Sequence, residues 1–151
     1  TFVGNLPKNF QFKNTKYNEP KNGLQLADII KIHDVYLTAS VNEPGGNHQN
    51  EGLNCGLPVL YLDSGCMNEY CKGYGLAYSK DTLKEKIFEI QSKYINLRKN
   101  LKNYPYNSDL MGRKYEELFV NLIDNRNEII TNRKVKKTNF LSKILYKFNL
   151  N

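Results

Sequence analysis

The chain has 151 residues, 40% of them apolar and 25% charged, which suits one ordinary α/β domain with a single core. No run is long enough to span a bilayer, and no signal-peptide pattern is present. The net charge of +7 is concentrated in the tail: from Asn132 onward there are Arg133, Lys134, Lys136, Lys137, Lys143 and Lys147 and no acid, leaving sixteen basic against fifteen acidic residues elsewhere. The body is therefore near neutral, and a nucleic-acid partner is not expected.

In chain order, residues 35–39 are short, β-branched and apolar, and residues 58–62 repeat that character, so both read as buried parallel strands. One short helix is predicted between them. Its entrance is Gly45-Gly46, which permits close backbone approach to a bound group, while the first free N–H groups of the helix would face an anion. Asp81, Thr82 and Leu83 then open an amphipathic helix carrying Leu83, Ile87, Ile90, Tyr94, Leu97 and Leu101 on its apolar face. Tyr104-Pro105 marks a break. A second helix begins at Asn107 or Ser108, either able to cap it, and is expected to bury Leu110, Tyr115, Leu118, Phe119, Leu122 and Ile123. In the tail, Phe140, Leu141, Ile144, Leu145 and Phe148 fall on one helical face, so residues 132–151 read as a basic amphipathic extension of a domain over 1–131. Such a tail could hold the protein peripherally at an anionic membrane. Cys55, Cys66 and Cys71 are odd in number and form no Cys-x-x-Cys pair, so reduced thiols in a cytoplasmic protein are expected rather than disulfides or zinc ligands.

The segment between the two strands carries the chemistry. Glu43 falls in the loop at the carboxyl end of the first strand and Glu51 one to two turns into the helix, so both carboxylates can face the crevice where open α/β sheets bind ligands. A carboxylate so placed is a good bidentate acceptor for a vicinal diol such as a ribose. A metal is not called for: there are two histidines, His33 and His48, and no carboxylate pair at metal spacing.

Ser40, Glu43, Pro44, Gly46, Glu51, Gly56, Pro58 and Val59 fall in step with a Ser, two residues, Glu-Pro-x-Gly, four residues, Glu-Ala-x-x-x-Gly-x-Pro-Val pattern. The segment thereby resembles the nucleotide-binding C-terminal lobe of retaining GT-B glycosyltransferases with the Glu-x7-Glu signature. Residues 1–7, 26–35, 63–70 and 73–78 resemble flanking parts of that Rossmann-like lobe. Three features depart from the family: Gly52 follows the second acid, Gly45 replaces a large apolar residue, and the segment 9–21 is longer and more polar.

The resemblance implies that Glu51 holds the ribose of a nucleoside diphosphate sugar and that Glu43, as the catalytic candidate, approaches the transferred sugar. It implies also that the amides around Gly45, Gly46, Asn47 and His48 line the sugar and phosphate pocket, with electrostatic stabilisation of the leaving diphosphate. No cofactor beyond the donor is implied. The acceptor would be a glycan or glycolipid, and a complete enzyme would need an N-terminal lobe, in cis or as a separate subunit, without which this chain is expected to be inactive. The competing reading is a noncatalytic nucleotide-binding or interaction module tethered through its basic tail.

Overall fold

The computed structural model describes residues 1–133, so the predicted tail helix with Phe140, Leu141, Ile144, Leu145 and Phe148 lies outside the described residues. Its elements are β1 (Phe2–Val3), β2 (Tyr17–Asn18), α1 (Gly23–Lys31), β3 (Tyr36–Thr38), α2 (His48–Asn54), β4 (Val59–Leu62), α3 (Met67–Cys71), β5 (Gly75–Tyr78), α4 (Leu83–Leu101), α5 (Ser108–Asp124) and α6 (Arg126–Asn132). The fold is α/β, with small parallel sheets flanked by helices. β1 and β2 form one parallel pair, and β3, β4 and β5 form a second parallel sheet in that order. None of the described helices is long and apolar enough to cross a membrane.

Two compact units make up the chain, Thr1–Leu110 and Met111–Asn151. The boundary expected between residues 131 and 132 lies at the end of α6, and nearly all of the segment beyond it is outside the described residues.

In the first unit the alternation of β4 builds the core. Val59 and Tyr61 point to one face, where they meet Leu53 of α2, Met67 and Cys71 of α3, and Leu101 and Tyr104 beyond. Leu60 points to the other face and packs with Tyr78, Ile90 and Leu97, so α4 covers that side. Close packing of β4 on β5 requires Gly75, because a Cβ there would lie 2.0 Å from the Val59 carbonyl oxygen. The predicted strand at 35–39 is less buried than its composition suggests. Register places Leu37 beside Leu60 on the α4 face, but β3 is the edge of its sheet and Leu37 remains 56% exposed, while Thr38 is buried.

α4 keeps most of its predicted stripe: Ile90, Leu97 and Leu101 are buried, while Ile87 stays 41% exposed. On its outer side Glu89 accepts hydrogen bonds from Lys86 at 2.6 Å and Lys93 at 2.5 Å. These bonds, Lys86 first, hold the Glu89 carboxyl down at about 2 from an ordinary 4.5. A depressed folded pKa gives stabilisation that is fully present above the unfolded value and is lost as pH falls through the folded one. The support Glu89 gives α4 therefore disappears between about pH 4.5 and about pH 2, and because Glu89 and Lys86 are only partly buried and Lys93 is exposed, its contribution is small. Far-UV circular dichroism across that window is expected to show a shallower acid loss in Glu89→Gln than in the parent; superimposable curves would mean the pair contributes nothing.

α5 begins where the sequence places it. The Leu110 N–H donates to Asn107 Oδ1 at 2.9 Å, so Asn107 is the residue that caps the helix. Urea unfolding of Asn107→Ala is expected to show a loss of about 1 kcal/mol. The expected burial of α5 is corrected, however: Leu110 is half-buried, and Tyr115, Leu118, Phe119, Leu122 and Ile123 are all exposed. Periodicity reports an apolar stripe, whereas burial needs a second apolar surface to meet it, and none of the described residues of the second unit is buried.

Candidate functional site

Two loops leave the carboxyl ends of β3 and β4, residues 39–47 and 63–66, and they are hydrogen-bonded to each other. Asn42 is held in the left-handed region at φ 53°, a conformation costly for a residue with a side chain. Its N–H donates to Ser64 Oγ at 2.8 Å, and the Cys66 N–H donates to the Glu43 carbonyl at 2.9 Å. Gly65 makes this contact possible. It sits at φ 61°, and a Cβ on it would stand 2.3 Å from the Glu43 carbonyl oxygen. The Ser64-Gly65-Cys66 turn thus clamps the Glu43 backbone, which assigns Gly65 a shaping role.

With its backbone fixed, the Glu43 side chain folds over the start of α2. Oε1 accepts the Gly45 N–H at 3.4 Å, and Oε2 lies 3.6 Å from His48 Nε2. Gly46 leaves the carboxylate its space, since a Cβ at that position would come 2.8 Å from the carboxyl carbon. Gly45, at φ 153°, turns the chain into the helix.

His48 faces inward. Its Nε2 shares a hydrogen bond with Ser40 Oγ at 3.1 Å, and its ring stacks on Tyr36 with centroids 6.3 Å apart and an 18° tilt. Ser40 is itself linked to Thr38, whose carbonyl accepts the buried Tyr78 hydroxyl at 2.9 Å. Ser40, His48 and Glu43 do not compose a nucleophilic triad. In a triad the acid orients the imidazole from the nitrogen opposite the serine, whereas here both partners contact Nε2.

Glu51 lies in the first turn of α2 and is exposed. Its neighbourhood differs from that of Glu43. Burial, and after it the Glu51 charge, pushes the Tyr36 hydroxyl up to about 12. The Cys55 thiol is pushed up by burial and by Glu51, with the Lys31 charge pulling the other way. Glu43, His48 and Tyr36 are thus linked in a row by contact, and the Glu51 charge acts on the Tyr36 hydroxyl at the far end of it. Asn47 is the N-cap of α2 and makes no side-chain capping bond.

Two residues join this site that the motif does not single out. Burial, then the Glu43 charge, raises the Cys66 thiol, against the pull of the Cys66 and Gly46 N–H groups, so the thiol stays protonated at neutral pH and is a poor nucleophile. Gln49 is completely buried; its Nε2 donates to the Gly46 carbonyl, and its Oε1 has no hydrogen-bond partner among the described residues. Cys66 was legible only as part of a turn, because a thiol's neighbours depend on contacts between two loops distant in sequence. Among the described residues no group of three or more His, Cys, Asp and Glu side chains is placed to hold a metal ion. The three cysteines are free thiols.

No family model, curated protein or solved structure matches this chain. The resemblance to a glycosyltransferase lobe therefore rests on the sequence motif alone.

Proposed function

We propose that this chain is the donor-binding part of a glycosyltransferase, taking a nucleoside diphosphate sugar and passing its sugar to a glycan or glycolipid acceptor. The observation that carries the reading is the row that runs from Glu43, in the loop at the carboxyl end of β3, through His48 to Tyr36, the first residue of that strand, with Glu51 in the first turn of α2, a helix entered through two glycines. Glu51, exposed at one end of the row, is the acceptor for ribose hydroxyls. Glu43, held over Gly45 and Gly46 at the other end, addresses the transferred sugar. In this reading the amides of residues 45–48 line the sugar and phosphate pocket, the Gly45 N–H exchanging its bond to Glu43 for one to the ligand, and His48 holds Glu43 rather than the ligand. The complete enzyme contains a second lobe across the cleft, in cis or as a partner subunit, and works in the cytoplasm with peripheral membrane contact. No step needs a metal or further cofactor.

Calorimetric titration of the chain with UDP, GDP, ADP and their sugar conjugates tests this. One nucleotide is expected to bind weakly and saturably. Loss of two hydrogen bonds to a charged acceptor in Glu51→Ala should weaken that binding by roughly ten- to a hundredfold. A folded chain that binds none of these ligands would overturn donor binding by this chain and favour the interaction module instead.

A further inference from the structure

The loop between β1 and β2 is a compact structure of its own, unrelated to the Glu43 row. Its ends are joined where the Phe2 N–H donates to the Lys16 carbonyl at 2.8 Å and the Gly4 N–H to the Asn18 carbonyl at 3.2 Å. Between them the chain packs on its own side chains: Phe12 lies 5.1 Å from Phe2 and 5.0 Å from Phe10 between ring centroids, and Tyr17 stacks on Phe2 at 6.4 Å. Loops closed and filled in this way are frequently functional.

Its tip is a turn in which the Phe10 N–H donates to the Pro7 carbonyl at 3.1 Å, with Asn9 at φ 72° supplying the positive φ that a type II turn needs at its third position. The turn leaves Phe10 49% exposed. Along the same stretch of chain Lys8, Lys13, Lys16 and Lys21 are all exposed, against the single acid Glu19. An exposed aromatic ring in a segment rich in long flexible cations fits an anionic lipid interface, where the ring enters the headgroup boundary and the lysines reach the phosphates. A single-stranded nucleic acid fits less well. It asks for successive ring faces set parallel, whereas Phe10 and Phe12 meet edge to face at 87° and offer no such pair.

We propose that the loop 4–16 is a membrane-docking surface that sets Phe10 into an anionic lipid interface and holds it there through Lys8, Lys13 and Lys16. It shares no residue with the proposed donor site.

The chain contains no tryptophan, so Phe10→Trp gives a fluorophore that reports on this loop alone. With vesicles of equal parts phosphatidylglycerol and phosphatidylcholine, the full-length variant is expected to show a blue-shifted emission that vesicles of phosphatidylcholine alone do not produce. Adding Lys8→Ala, Lys13→Ala and Lys16→Ala should weaken that response on the order of a hundredfold, at the usual contribution of a basic residue near an anionic surface. Co-sedimentation with anionic vesicles without any emission change at position 10 would assign membrane contact elsewhere in the chain and overturn the proposal. So would an emission change on a single-stranded oligonucleotide but not on vesicles.

Discussion

Gly65→Ala is expected to cost the first unit about 3 kcal/mol, the sum of a left-handed backbone forced on a residue with a Cβ and of overpacking against a fixed neighbour. The neighbour is backbone, which cannot rotate aside: the new Cβ would fall 2.3 Å from the Glu43 carbonyl oxygen and 2.5 Å from its nitrogen. Relief requires breaking the Cys66 N–H bond to Glu43 or the Asn42 N–H bond to Ser64, and either releases the loop that presents Glu43. Gly73 provides the control. It also has positive φ, at 87°, but open space surrounds its missing side chain, so Gly73→Ala should lose only about 1 kcal/mol. Urea denaturation of both variants separates the two contributions, provided the slopes match. Equal losses at the two positions would show that the clamp on Glu43 is not rigid.

The sequence-derived expectations succeeded where the determinant is local and failed where it lies between distant segments. The two strands around the motif, the helix between them and the Asn107 cap each follow from a run of a few residues, and each is present. Leu37 and the apolar face of α5 have the composition of buried positions, yet whether anything covers them is decided by other parts of a structure that periodicity does not see. Around the motif, the placing of Glu43 in the loop after the strand and of Glu51 in the helix that follows was legible from spacing. That the Glu43 backbone is gripped by Ser64, Gly65 and Cys66 was not, because the residues of that contact are more than twenty apart in the chain. Nor was the inward turn of His48, whose partners Tyr36 and Ser40 are set by how β3 meets α2.

Gly52 shows how such a contact can rewrite a motif. A Cβ at Gly52 would lie 2.7 Å from two carbons of the Tyr36 ring, which is caught between α2 and the His48 stack. Gly52→Ala should therefore destabilise the first unit by about 2 kcal/mol net, overpacking outweighing the roughly 1 kcal/mol that alanine gains over glycine inside a helix. With everything beyond Cβ removed, only the Tyr36 Cβ, 3.0 Å away, still crowds the new methyl group, so in a Tyr36→Ala background Gly52→Ala is expected to be about neutral. The double-mutant cycle then gives a coupling on the order of 2 kcal/mol. A small coupling, with Gly52→Ala destabilising equally in both backgrounds, would mean that the helix backbone and not Tyr36 demands glycine. The distinction bears on the site itself. If the ring excludes the methyl group, Tyr36 sets the distance between the helix bearing Glu51 and the edge strand, and Tyr36→Ala should weaken the nucleotide binding proposed for this chain even though the Tyr36 hydroxyl, well above its ordinary pKa, carries no charge at neutral pH.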